Sequence, residues 1–253
     1  MSKTYSITEI FLSFQGEGFH AGAPAIFVRF AGCNKAGGKC LFCDTDYSER
    51  EQLTADEIIQ RMLVLHHENG GLREGAYNRR RMIVLTGGEP LLQVDDEFID
   101  AVKAQWKYFA PIHLETNGTV KPMFDLDKLD WITFSPKPGT LEIIDQSFYE
   151  AIRHEKGFYS RSHANLVNEL KVVYPGCDEK EITEDARGGW SEWTLNELET
   201  IIVADHHFLQ PQDCIDDHNS KLAMKETVEM ITQGPMKTEW RLSIQMHKVA
   251  GSK

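Results

Sequence analysis

Met82-Ile83-Val84-Leu85-Thr86-Gly87-Gly88-Glu89-Pro90 is an apolar run that stops abruptly at two glycines, a carboxylate and a proline. A short apolar run closed by turn signals reads as a strand buried on both faces. The glycines let the backbone approach a ligand closely, a carbonyl freed at such a strand end can accept from an amino group, and Glu89 adds a carboxylate there. Read alone, Gly-Gly-Glu-Pro is a strand-terminating turn. Comparable runs recur at Ala25 to Phe30, Ile112 to Glu115, Trp131 to Ser135, Glu169 to Tyr174, His206 to Gln210 and Arg241 to Gln245. Segments of helical period separate them. This alternation predicts βα units around a mostly parallel sheet, with most strands reading as buried runs rather than as alternating ones.

The helical segments carry their own signals. Thr54 with Glu57 forms a capping box before the apolar stripe Ile58, Ile59, Met62 and Leu65. Thr194 and Glu197 repeat the device before Leu198, Ile201 and Ile202. Phe98, Ile99, Val102, Trp106 and Phe109 follow helical spacing, as do Met224, Val228 and Ile231, where Gly234-Pro235 ends the pattern. Asn69 to Arg81 and Pro175 to Trp193 break the rhythm and read as surface loops or insertions. The run Arg79-Arg80-Arg81 reads as a solvated edge in an acidic chain and carries no function. Nothing divides residues 1–253, so the expectation is a single α/β domain, an incomplete (βα) barrel of about six βα units. Polar groups gather at successive strand ends, Thr86 to Glu89, Glu115 to Thr119 and Ser135 to Lys137, as in barrel active sites.

A net charge of -12 argues against a nucleic-acid backbone as the main ligand, because that binding needs Lys and Arg to displace counterions. A small molecule fits better. No apolar stretch near the length of a membrane span occurs, and Met1 to Tyr5 does not begin a secretory signal, so a cytoplasmic protein is expected. The five cysteines are an odd number, and three are too crowded for a disulfide framework. Cys177 and Cys214 read as free thiols.

Those three, Cys33, Cys40 and Cys43, share one loop and point to a metal site. Four cysteines would close a zinc tetrahedron or saturate a cubane, whereas three leave one metal position open for chemistry. Cys40-Leu41-Phe42-Cys43 is also half of a structural zinc site, which Cys177, Cys214 or one of the ten histidines could complete. No second knuckle exists. The spacing alone leaves zinc and iron–sulfur open.

The neighbouring blocks narrow the choice. Phe14-Gln15-Gly16-Glu17-Gly18, Phe27-Val28-Arg29-Phe30 leading to Gly32-Cys33, Cys43-Asp44-Thr45, Thr86 to Pro90, Ser135-Pro136-Lys137 and Arg241 to Lys248 together resemble the 7-carboxy-7-deazaguanine synthase family of radical S-adenosylmethionine enzymes. The blocks run over nearly the whole chain. No single one is unique, but their order is specific. One departure stands out: six residues, Asn34 to Lys39, separate the first two cysteines, where most members of that family have three. Gly37 and Gly38 could fold the extra length outward, a tolerated bulge.

The resemblance implies an incomplete barrel of the radical S-adenosylmethionine type and conversion of 6-carboxy-5,6,7,8-tetrahydropterin to 7-carboxy-7-deazaguanine with loss of ammonia. It implies a 4Fe-4S cluster on Cys33, Cys40 and Cys43, and Mg2+ at Thr45. Phe42, Cys43, Asp44, Gly88, Glu89, Asn117, Ser135, Pro136 and Lys137 would then border S-adenosylmethionine. Phe14, Gln15, Gly16, Glu17, Arg29, Thr86 and His247 would meet the substrate, with Arg29 as a fork for its carboxylate. Lys171, Gln210 and Gln245 fall in matching blocks without an assigned role. No catalytic residue is implied beyond cluster and cofactor. A homodimer and a flavodoxin or ferredoxin electron donor complete the implied picture, with no direct nucleic-acid partner and no membrane. The competing readings are another radical S-adenosylmethionine enzyme or activase, and a zinc-stabilised binding protein without catalysis.

Overall fold

The computed structural model describes residues 2–34, 40, 43, 50–70, 80–138, 167–176, 190, 192–214, 216–234 and 236–251. Among them one continuous sheet of nine strands carries the fold. Its strands are β1 (Thr4–Phe14), β2 (Pro24–Phe30), β3 (Glu51–Thr54), β4 (Arg81–Gly87), β5 (Phe109–Thr116), β6 (Trp131–Phe134), β7 (Val167–Tyr174), β8 (Ala204–Pro211) and β9 (Trp240–Leu242). The spatial order is β3-β1-β2-β4-β5-β6-β7-β8-β9. From β2 to β9 every neighbouring pair is parallel, whereas β1 runs antiparallel to both β2 and β3. The helices are α1 (Ala55–Glu68), α2 (Asp96–Ala104), α3 (Glu192–Ile201), α4 (Asp217–Gln233) and α5 (Met246–Ala250). None is long and apolar enough to cross a membrane.

All seven sequence-predicted strands have counterparts in the parallel part of the sheet, an incomplete barrel as expected. The two antiparallel strands were not foreseen. β1 does show period two at its start, where Tyr5 and Ile7 are buried between more exposed neighbours. Most of the parallel strands are buried on both faces, as expected. Ile83, Leu85, Leu114, Ile132, Phe134, Leu170, Val172 and Leu209 belong to one apolar core with Ile58, Met62, Phe98 and Leu198 from the helices. On the other face Ala25, Phe27, Met82 and Val84 make a second apolar cluster, while on β5 and β7 the alternate residues are polar, Glu169 and Lys171 buried and Glu115 partly so. Both faces are covered, yet their chemistry alternates, because one faces helices and the other faces the interior of the half-closed barrel.

The Thr54 box forms as expected: its hydroxyl accepts from the Glu57 N–H at 3.3 Å, and Glu57 accepts from the Thr54 N–H at 2.7 Å. Thr194 does not cap, because α3 begins at Glu192 and encloses it. Phe109 belongs to β5, and Trp106 lies beyond α2 and is exposed. The buried face of α4 centres on Ala223 and Thr227, with Met230 and Ile231 partly buried, and Val228 points outward. Gly234 ends that helix, its N–H donating to the Met230 carbonyl at 3.0 Å. β9 stops at Leu242, so Gln245 caps α5 and His247 lies within it. Of the expected insertions, residues 71–79, 177–189 and 191 lie outside the described residues.

The core dictates a contrast in mutational cost. Leu114→Ala, at a fully buried position, should lose about 2–5 kcal/mol in urea unfolding, while Val249→Ala, at an exposed one, should stay within about 0.5 kcal/mol.

Candidate active site

The parallel register aligns one residue of each strand in a row across the interior face. Arg29 on β2 pairs with Thr86 on β4, Glu115 on β5 with Thr133 on β6, Thr133 with Glu169 on β7, and Glu169 with His206 on β8. The Thr86 hydroxyl donates to Glu115 at 2.9 Å, which joins the two halves of the row. Two residues further along β7 stands Lys171. A cavity of about 270 Å³ opens over this face, at the ends of the strands. Its walls are apolar towards β1, β2 and β7, from Phe11, Phe14, Phe27 and Val173, and polar elsewhere. Phe11 and Phe27 stack at 5.0 Å between centroids.

The loop between β1 and β2 supplies the floor. Gln15 and Gly22 keep the hairpin closed through Gly22 N–H to Gln15 carbonyl at 2.7 Å, and the residues between them fold across the barrel. Gln15 Nε2 donates to Glu115 at 3.0 Å. Glu17 pairs with Lys171 and accepts from Gln245 Nε2 at 2.8 Å. Lys171 lies 3.8 Å from Glu115 as well. Beneath, Phe19 stacks on His206 at 4.2 Å, and His20 meets His113 at 4.7 Å. A Cβ at Gly16 would overlap the His247 ring, so the glycine is what allows the C-terminal segment to press on the loop. The Met246 N–H closes that contact on the Gly16 carbonyl at 2.9 Å.

Burial and charge set the protonation states. Desolvation alone would push the Lys171 ammonium down, but Glu17, Glu115 and Glu169 hold it above its ordinary range. Desolvation likewise opposes ionisation of Glu17, and Lys171 overcomes it, so that carboxyl is held below its usual value. Glu169 is the opposite case. Burial dominates over Lys171 and over the Phe19 N–H, and its pKa rises from 4.5 to about 7. His113 is pushed down to about 3 by burial and by His20 beside it.

At the other end of the cavity are Cys33, Cys40 and Cys43. Cys33 is exposed, the other two partly so, and the Cys43 N–H donates to the Cys40 carbonyl at 2.9 Å in a tight turn. Asn34 ties the root of this loop to the end of β5, its Nδ2 donating to the Thr119 hydroxyl at 2.9 Å. Gly87 and Gly88 also make a close approach within the protein. A Cβ on either would overlap backbone, Phe30 in the first case and Gly32 in the second, and the N–H groups of Gly88 and Glu89 donate to those two carbonyls at 3.0 and 2.9 Å. The glycines therefore dock strand β4 against the root of the cysteine loop.

Three thiolates on one cavity wall suit a soft iron–sulfur group. Among the described residues no three His, Cys, Asp or Glu side chains gather closely enough for a single ion. Three cysteines lining one cavity are the donor set that a four-iron cluster with one open position takes.

Of the residues singled out in the sequence, Phe14, Gln15, Gly16, Glu17, Arg29, Thr86 and His247 line the cavity. So do Gly88, Asn117, Ser135 and Lys137, together with Lys171, Gln210 and Gln245. Lys137 donates to Ser135 at 2.9 Å. Arg29 is not an outward residue of an edge strand, since β1 covers β2. Its Nε donates to Glu9 at 3.0 Å, which leaves the two terminal nitrogens for another partner. Glu89 lies elsewhere: fully buried, it accepts from Leu91 N–H at 3.1 Å, Thr116 hydroxyl at 2.7 Å and Asn117 N–H at 2.8 Å. It braces the β4 and β5 ends from below rather than facing the cavity. Pro136 is buried outside the lining. Phe42, Asp44 and Thr45 lie outside the described residues. Sequence reasoning placed Glu115 among the polar groups at the strand ends but gave it no role, whereas Gln15, Thr86 and Lys171 converge on it. A carboxylate two residues before the polar turn Asn117-Gly118, on the alternation that places His113 inward, was the available signal.

No family model matches the chain. It is 35% identical over 243 residues, covering 96% of both chains, to the 7-carboxy-7-deazaguanine synthase of Bacteroides thetaiotaomicron. To the protein of that name from Bradyrhizobium diazoefficiens it is 33% identical, covering 98% of this chain and 99% of the relative. To that from Bordetella pertussis it is 31% identical over 98% of each. Its fold is shared with the crystal structure of QueE from Escherichia coli, at a TM-score of 0.57 and 22% identity over 96% of this chain and 95% of that one.

The raised pKa of Glu169 sets a sign for stability against pH. Above 4.5 the unfolded side chain is ionised, whereas the folded one keeps its proton to about pH 7. The folded state then binds more protons, so this site's contribution falls as pH rises through that window. Urea unfolding across it should show wild type losing up to about 3 kcal/mol relative to Glu169→Gln, which cannot ionise.

Proposed function

Because the chain belongs to the 7-carboxy-7-deazaguanine synthase family, we propose that its cavity converts 6-carboxy-5,6,7,8-tetrahydropterin to 7-carboxy-7-deazaguanine, releasing ammonia on the route to queuosine and related deazapurines. The observation that carries the reading is the cavity lining: three cysteines, and with them a polar set, Gln15, Thr86, Glu115 and Lys171, of the kind a pterin edge requires.

Cys33, Cys40 and Cys43 would hold a 4Fe-4S cluster, whose open position takes S-adenosylmethionine. When bound, these groups supply the one-electron chemistry that removes hydrogen from the substrate and returns it. The chain's own task is placement. Asn117, Ser135 and Lys137 line the wall nearest the cysteines and would border the cofactor, together with Phe42, Asp44 and the backbone of Gly88. Glu89 would serve by bracing that wall. At the substrate end, the Glu115 carboxylate accepts from Gln15 and Thr86 and would take donors of the pterin ring. Arg29 would offer its terminal nitrogens to the substrate carboxylate, with Nε already oriented by Glu9. Phe11, Phe14 and Phe27 would exclude water from the ring.

Thr45 would add a hydroxyl to Mg2+, a hard cation that prefers oxygen donors and keeps room for a substrate carboxylate. A homodimer, a flavodoxin or ferredoxin electron donor and a cytoplasmic location belong to the same reading.

The test is anaerobic reconstitution followed by incubation with reductant, S-adenosylmethionine and the carboxytetrahydropterin. Carboxydeazaguanine and ammonia should appear, and alanine at any of the three cysteines should abolish both iron binding and product. A fully loaded cluster without product would sink the assignment. Arg29→Ala should raise KM for the carboxylated substrate by about ten- to a hundredfold, the worth of a charge-assisted hydrogen bond.

A further inference from the structure

The loop between β1 and β2 is longer than its hairpin needs. Two residues suffice to reverse an antiparallel pair, yet here the chain between Gln15 and Gly22 crosses the barrel before returning. Exposed loops of this kind are ordinarily mobile. This one is pinned at its tip from two directions. The Phe19 N–H donates to Glu169 Oε2 at 2.9 Å, and the Gly18 N–H donates to Ser243 Oγ at 3.0 Å. Glu169 and Ser243 are both about 3% exposed, so each is a buried acceptor committed to a backbone donor. Gly18 takes a left-handed φ of 67°, and a Cβ there would overlap the Glu169 carboxylate. The tip is thus shaped to sit against Glu169.

We infer that Glu169 and Ser243 are positioning residues for the substrate: by fixing Gly18 and Phe19 they hold Gln15 and Glu17, on the same loop, against the substrate end of the cavity. Neither lines the cavity. Both act through backbone, at the two residues that directly follow Glu17. Losing either acceptor leaves a part-buried N–H without its partner and releases the tip, while the root of the cysteine loop, anchored separately through Gly87, Gly88 and Asn34, stays in place. The inference rests on the substrate reading of Gln15 and Glu17.

Its signature is therefore a split in kinetic constants. In the reconstituted enzyme, Glu169→Ala should raise KM for the carboxytetrahydropterin about tenfold, with kcat near that of wild type, iron content unchanged and KM for S-adenosylmethionine unchanged. Glu169→Gln keeps an oxygen for the Phe19 N–H and should restore KM to within about threefold. Ser243→Ala, a milder change, should reproduce the effect through Gly18 and carries the test alone if Glu169→Ala fails to fold. Gln15→Ala is the control for the underlying reading. If it leaves KM unchanged, the loop does not meet substrate and the site assignment fails. If it raises KM while Ser243→Ala and any folded Glu169→Ala lower only the melting temperature, those residues are merely structural and the inference is wrong.

Discussion

Lys171 pairs with Glu17 and approaches Glu115 to 3.8 Å, with only 6% of its side chain exposed, and Glu169 stands two residues before it on the same strand. One ammonium thus compensates carboxylates from β5, from its own strand and from the β1–β2 loop. A charge so far from water is tolerable only when paired, and removing one partner of such a set costs on the order of 3–5 kcal/mol. The remaining geometry follows from that constraint. Glu17 must reach β7, so the loop must cross the barrel, and Gln245 must turn towards Glu17, so the C-terminal segment must fold over the loop. Satisfying the ion pairs and closing the open side of the barrel are one requirement.

The same constraint explains why the sheet is two-faced. Helices cover one side, and apolar side chains are the inexpensive way to fill that interface. The other side surrounds a half-closed space, where polar groups are useful only if they satisfy one another. Glu115 accepts from Gln15 and Thr86, and Glu169 accepts from Phe19. Glu169 can be neutral near pH 7 because its burial outweighs the pull of Lys171, with Glu115 and Glu17 adding to the rise. The polar face is thereby held in one arrangement before any ligand arrives, which lowers the ordering cost of binding.

Much of this was legible in the chain. The strand at Met82 to Thr86, the Thr54 capping box and the stop at Gly234 rest on local chemistry, and each appears in the fold. What escaped depends on distant partners. β1 is held by pairing with β2 and β3, and Phe109 is drawn into β5 by its parallel partner at Arg81. For the site, Gln15, Arg29 and Thr86 were marked because their blocks resemble a family. Glu115 carries no such mark, and its weight comes from three donors separated by as many as a hundred positions along the chain. Glu169 and Ser243 are further removed, since each acts on a backbone N–H that has no sequence signature.

Gly87 and Gly88 show how one motif can carry a second role beside the one its position suggests. Two glycines after a buried strand imply a close backbone approach, and the approach is real, but its object is the Phe30 to Gly32 backbone. Glu89 completes the same joint by accepting from Thr116 and Asn117. The strand ends of β2, β4 and β5 are therefore locked together by backbone contact and one buried carboxylate, independently of the Lys171 network across the barrel. Two separate anchors hold the two ends of the cavity. The joint that Gly87, Gly88 and Glu89 close is made with Phe30 and Gly32, before Cys33, so the root of the cysteine loop and the Lys171 network are held by different residues.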